Sequence, residues 1–253
     1  MTQDSAVLTE TVDGIEVVHI DTGLPHNELT IRAMEELEGV LERWRQDAPR
    51  AAILTGRSEC FSAGLALEEV VDASREEFSD FVRLEYRCMR LLEEMPLVTI
   101  AALAGPCIGN AAELALACDF RVATDGVRIG LPEVGMGLMA PAQRLVKFMS
   151  IQQARRILLD SRLLPAEEAL QLELVDEIVS SDGLLSTAIE RATSAAALPP
   201  VAVRLTKENL LRESSRGQNH DQEEIAGAIE SFATTECAER IATYLDRRAT
   251  RDS

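Results

Sequence analysis

Two periods of apolar residues run along the chain. Val17-Val18-His19-Ile20 lies between a turn at Asp13-Gly14 and Gly23-Leu24-Pro25, which predicts a strand with His19 half-buried in it. Residues 29–44 carry Leu29, Ala33, Leu37, Val40, Leu41 and Trp44 at the spacing of an amphipathic helix, which Pro49 stops. Ala51-Ala52-Ile53-Leu54 reads as a short buried strand. Residues 79–92 return to helix and close at Met95-Pro96, and residues 97–102 form a second continuous apolar strand.

The alternation continues. A turn-rich loop spans residues 105–110, an alanine-rich helix 111–118, and short strands 120–123 and 127–129. Strand, loop and helix in that order predict an α/β fold with crossover connections. After Pro141 the pattern turns helical, over 144–159 and 165–172, before a last strand at 174–179. Beyond Leu198-Pro199-Pro200 every segment reads as helix. The expected division is an α/β core, 1–197, and a helical C-terminal region, 198–253. In that region Leu205, Leu210, Ile225, Ile229, Phe232 and Ile241 fall at helical spacing, an apolar face expected to be covered by a second copy of the chain.

Charge narrows the function. Against 25 Lys+Arg stand 43 Asp+Glu, a formal charge of −18 on 253 residues, so phosphate backbones and anionic membranes are repelled. No nucleic-acid or membrane partner is expected, and a polyanionic ligand must be held by local arginines, Lys207 or backbone donors. Five irregularly spaced cysteines without a C-x-x-C, and three histidines without H-E-x-x-H, indicate neither a disulfide framework nor a metal site. The N-terminus lacks the pattern of a secretory signal, so the expected location is cytoplasmic.

Three segments carry candidate chemistry. In the first, strand 51–54 runs through Thr55-Gly56 to Phe61-Ser62-Ala63-Gly64-Leu65-Ala66-Leu67, small residues that let a ligand approach backbone N–H groups. In the second, Gly105-Pro106-Cys107-Ile108-Gly109-Asn110 leads into a helix whose free N–H groups suit a developing oxyanion. Asn110 there has the type of an N-cap, with Glu113 at capping-box spacing. The third, Gly130-Leu131-Pro132-Glu133-Val134-Gly135, holds a carboxylate on a rigid loop. Gly135-Met136-Gly137-Leu138-Met139-Ala140 imitates a dinucleotide fingerprint, but no strand leads into it and Pro141 follows at once. Glu68-Glu69 and Glu93-Glu94 read as solvated faces.

Together these segments resemble the crotonase, or enoyl-CoA hydratase/isomerase, superfamily, over nearly the whole chain from Val17 to Arg248. The resemblance rests on Leu54-Thr55-Gly56 with Phe61-Ser62-Ala63-Gly64, Ala101 through Gly109 with Glu113-Leu114-Ala115 and Cys118-Asp119, Leu131-Pro132-Glu133, Gln143-Arg144-Leu145, and Ala166 to Val179. It implies a spiral of ββα turns with a helical C-terminal oligomerisation region, assembled as trimers or hexamers. It implies an acyl-CoA substrate, with coenzyme A part of that substrate and no separate cofactor. By position, the backbone N–H groups of Leu65 and Asn110 would form the oxyanion hole, Glu113 and Glu133 would be catalytic, and Ala63, Gly64, Leu67, Gly109, Leu131 and Pro132 would bind substrate.

Retention of both glutamates points to a hydro-lyase interconverting a 2-enoyl-CoA and a 3-hydroxyacyl-CoA. The alternatives are a double-bond isomerase and a non-catalytic acyl-CoA-binding partner subunit. Departures from the family pattern cluster around the acyl group. Asn110-Ala111-Ala112 stands where the pattern is glycine-rich, Leu65-Ala66 replaces Ala-Asp, and the loop from Gly137 to Gln143 is short. Leu24 replaces a basic residue and Glu173 a glycine.

Overall fold

The computed structural model describes residues 5–215 and 221–250. Its main sheet has six strands in the order β1 (Val7–Val12), β2 (Ile15–Ile20), β3 (Ala51–Thr55), β4 (Val98–Leu103), β6 (Phe120–Thr124) and β9 (Glu177–Val179). Only the β1–β2 hairpin is antiparallel; β2, β3, β4, β6 and β9 pair in parallel. A smaller sheet joins β5 (Pro106–Ile108), β7 (Arg128–Gly130) and β8 (Leu164–Pro165).

The apolar runs follow from two-sided burial. In β3, Ala52 and Leu54 enter one core while Ala51 and Ile53 enter the other; in β4, Ala101 and Leu103 oppose Val98, Ile100 and Ala102. A strand covered on both faces has no solvent side and so shows no polar alternation. The larger core lies beneath α1 (Ile31–Gln46), α3 (Arg75–Glu93) and α4 (Asn110–Ala117), and α7 (Leu184–Ala196) covers the other face.

Most elements lie where the apolar pattern puts them. The long helix after the first chemical segment begins earlier than its apolar stripe, because Ser74 and Glu77 form a capping box at α3. The stretch expected as one helix over 144–159 is broken: a 3-10 turn at Leu145–Lys147 precedes α5 (Ile151–Leu159), which Ser150 and Gln153 cap. β1, the four-residue α2 (Leu67–Val70) and β5 carry no apolar run long enough to mark them. Glu173, in the glycine position of the family pattern, adopts φ +60 where the chain leaves α6 (Ala166–Gln171).

Residue 198 falls between α7 and α8 (Pro200–Ser215), and α9 (Asp221–Phe232) and α10 (Thr235–Ala249) complete the described chain. Ile225, Ile229 and Ile241 are buried within the same chain, and Phe232 stacks on Phe78 of α3 with ring centroids 3.7 Å apart. Val201, Leu205 and Leu210 on α8 remain exposed. Lys207, expected among the phosphate contacts, instead donates to Leu97 O at 2.7 Å and to Asp119 Oδ2 at 2.6 Å, tying α8 to the starts of β4 and β6. His220 and the residues before Ser5 lie outside the described residues.

Candidate active site

Backbone hydrogen bonds zip the three chemical segments together. Leu29 N–H donates to Gly64 O and Ala66 N–H to Leu29 O, while Ser62 N–H donates to Pro106 O and Ile108 N–H to Ser62 O. Neighbours of Leu65 on both sides are used by Leu29, so the Leu65 N–H faces away, toward the cleft, with no protein acceptor among the described residues. Gly64 permits this turn. Its φ is +91, and a Cβ there would lie 2.5 Å from Ile108 O.

The second donor comes from α4. The N-cap is Gly109, with φ +62, rather than Asn110 as the spacing predicts, and no capping box forms. Asn110 is the first helical residue, so its backbone N–H has no intrahelical partner. Its side chain turns away from the helix end and donates from Nδ2 to Glu85 of α3. The tertiary neighbour outcompetes the local cap.

Around these donors lies a cleft of about 150 Å³. Ala63, Gly64, Leu65, Leu67, Gly109, Asn110, Glu113, Pro132 and Glu133 all line it. Leu131 does not: it is 1% exposed and packed into the core behind Pro132, because β7 ends just before it. The outer walls are apolar, from Phe78, Val82 and Tyr86 of α3, Leu138, Met139 and Pro141 of the short loop, and Ala228 of α9.

The cleft contains three carboxyl groups, one more than the sequence reading supplies. Burial raises Glu113 to about 7, held down by Arg144. Burial raises Glu133 further, to about 8, with Glu113 adding repulsion and its own backbone N–H opposing. Glu133 Oε2 is enclosed without a partner among the described residues, and a Cβ on Gly109 would lie 3.2 Å from Oε1. Glu85 is pushed well above the usual carboxylate range by burial, against the Asn110 bond, with Glu113 and Glu133 adding to the rise. Its signal was present in the sequence: Phe78, Phe81, Val82, Glu85, Cys88, Met89 and Leu92 share one helical stripe, and Glu85 is the charge on it.

Arg144 pairs with only one of the two expected catalytic groups, Glu113, among the described residues. It is 1% exposed, with Nη1 donating to Glu113 Oε1 at 3.1 Å and Nε 3.3 Å from Glu93 Oε1. Glu93, expected on a solvated face with Glu94, is therefore inside an ion-pair network that includes Lys147 at 2.7 Å. Glu224 of α9 fixes the loop carrying Arg144: its Oε1 accepts from Ala142 and Gln143 N–H, and its Oε2 from the Tyr86 hydroxyl. Sequence patterning alone gave Glu224 no signal, since α9 reads as an ordinary amphipathic helix.

Chemically, the arrangement offers two backbone donors for an oxyanion, one carboxylate beside a guanidinium, and one carboxyl without a cationic partner. Environments that drive two acids apart assign the base and the acid.

Known proteins carry the same framework. The sequence pattern of the enoyl-CoA hydratase/isomerase family matches residues 10–251. A short-chain-enoyl-CoA hydratase of Clostridium acetobutylicum is 32% identical, over 91% of this chain and 88% of that protein. A crotonyl-CoA hydratase of Syntrophomonas wolfei is 28% identical over 96% of this chain and 95% of its own length. The crystal structure of human mitochondrial delta3-delta2-enoyl-CoA isomerase superposes with a TM-score of 0.89 at 28% identity, over 98% of this chain and 100% of that one. A match across almost the whole chain, with the α/β sheet, the loop-to-helix turn at Asn110 and both glutamates in one cleft, places this chain in the enoyl-CoA hydratase/isomerase family.

Proposed function

We propose that the protein is an acyl-CoA hydro-lyase that reversibly hydrates a 2-enoyl-CoA to a 3-hydroxyacyl-CoA. The observation that carries this reading is the convergence of Glu113, paired with Arg144, and Glu133, which has no cationic partner among the described residues, on the cleft lined by Leu65 and Asn110. The thioester oxygen sits between those two donors. Glu113, the more acidic group beside Arg144, takes a proton from water as its oxygen bonds to C3. The electron pair moves through C2 onto the thioester oxygen, and the enolate is stabilised by the two N–H groups and the start of α4. Glu133, protonated, then delivers its proton to C2, and exchange with solvent resets both carboxyls. Coenzyme A belongs to the substrate, and this chemistry needs no resident metal or cofactor.

The likeness to an enoyl-CoA isomerase favours one second reading, in which a single carboxyl moves a proton between C2 and C4. Turnover on a panel of 2-enoyl- and 3-enoyl-CoA thioesters, followed by mass spectrometry, separates them. Gain of 18 mass units from water on a 2-enoyl-CoA supports hydration. A shifted double bond with no added water supports isomerisation, and tight binding with neither supports a non-catalytic partner role.

The reading extends to a cytoplasmic homotrimer or hexamer. Among the described residues no helix is long and apolar enough to cross a membrane. The exposed Val201, Leu205 and Leu210 of α8 offer a face for a second copy, and light scattering at micromolar concentration tests it, with a monomer refuting the assembly.

A further inference from the structure

Glu85 has no task in the hydration steps above, yet it faces the same cleft. It is 7% exposed; one oxygen accepts from Asn110 Nδ2, and the other has no partner among the described residues. Asn110 Oδ1 is enclosed and also without a partner among the described residues. Gly64 lies beside it: a Cβ on Gly64 would be 3.1 Å from that oxygen. An alkyl chain laid against these atoms leaves a buried carboxyl and a buried amide oxygen unsatisfied, which is unfavourable.

We propose that Glu85 and the Asn110 side chain form a specificity subsite for an acyl chain bearing a hydroxyl group. This rests on the acyl-CoA hydration reading and names its substrate class. Burial pushes the Glu85 carboxyl well above the usual carboxylate range and so favours its protonated form, which donates a hydrogen bond to the substrate hydroxyl, which in turn donates to Asn110 Oδ1. Asn110 contributes to both places, its backbone N–H to the thioester oxygen and its side chain to the subsite. The hydroxyl is therefore only a few bonds from the thioester, at C4 or C5. The apolar wall of Phe78, Val82 and Leu138 accepts the remaining carbons.

The test compares kcat/KM for short 2-enoyl-CoA thioesters with and without a C4 or C5 hydroxyl, on the wild type, Glu85→Leu and Glu85→Gln. Calorimetric Kd values for the corresponding saturated, unreactive thioesters give the same ratio without turnover. The wild type is expected to prefer the hydroxylated chain by ~10-fold, Glu85→Leu to bring the ratio near one, and Glu85→Gln to keep part of it. Equal use of both chains by the wild type, an unchanged ratio in Glu85→Leu, or a stronger preference for a chain ending in an ammonium group overturns the subsite. Absent turnover with the binding preference intact means the hydration reading fails while the subsite stands.

Discussion

Replacing Arg144 with methionine removes the guanidinium that faces Glu113 while keeping a long side chain in the core. At the observed 3.1 Å, with an effective dielectric of ~20, the lost attraction is ~5 kcal/mol. About 1.36 kcal/mol corresponds to one pH unit, so the protonation of Glu113 moves up from about 7 by roughly three to four pH units. Near pH 7.5 the ionised fraction falls by ~10³, and kcat should fall by a similar factor because the water loses its base. The assay is the pH profile of kcat/KM for hydration, in the wild type, Arg144→Met and Arg144→Lys, with melting temperature as a control for folding. The wild type should show a limb near 7 from Glu113 and a decline near 8 from Glu133, an optimum between them. In Arg144→Met the ionisation of Glu113 passes that of Glu133, so the profile should rise only up to about 8, hold a plateau ~10²–10³ below the wild-type optimum and fall beyond pH 9, and Arg144→Lys should recover part of the loss. A folded Arg144→Met that keeps the wild-type optimum and rate would refute the assignment of Glu113 as the base tuned by Arg144.

Glu113→Gln and Glu133→Gln should each lower kcat by ~10²–10⁴ with little change in KM, and near-wild-type turnover in either would defeat the two-carboxyl mechanism. Both groups bind protons more tightly folded than their ordinary 4.5, so the folded state holds extra protons between pH 4.5 and 8. Their contribution to stability is complete below 4.5 and is lost as pH rises to 8; chemical denaturation should show this decline, flattened in the double glutamine variant, and a rise instead would contradict it. Gly64→Ala forces a Cβ to 2.5 Å from Ile108 O at φ +91, so the loop must shift and carry the Leu65 donor with it. A drop in kcat/KM of ~10² is expected, and a folded variant with full activity would show that Leu65 does not hold the oxyanion.

Much of the fold was legible because the physics behind it is local. Strands β3 and β4 are continuous apolar runs, and α1 carries a complete amphipathic stripe ended by a proline-bearing turn. Of the site, the loop around Gly64 and Leu65, the turn at Gly109 and Asn110, and both Glu113 and Glu133 could be found from residue type and order. β1 could not: it pairs only with β2 and exposes Leu8 and Glu10, so it has no apolar run to announce it. The Asn110–Glu113 capping box was a local inference that failed, since Asn110 found a better partner 25 residues away in sequence.

The chain by itself determined its α/β alternation, its family and the chemical types available for catalysis, because those depend on periodicity and on short motifs. Only the tertiary structure decided which charges share a dry space. Leu131, beside two lining residues, faces the core, and Glu93, beside an exposed glutamate, is held by a buried arginine. Helical phase and the packing of α3 against α4 set those outcomes. The same packing brings Glu85 to Glu113 and Glu133, and the proton affinity of each follows from its desolvation and its neighbours across the cleft, which sequence separation does not encode.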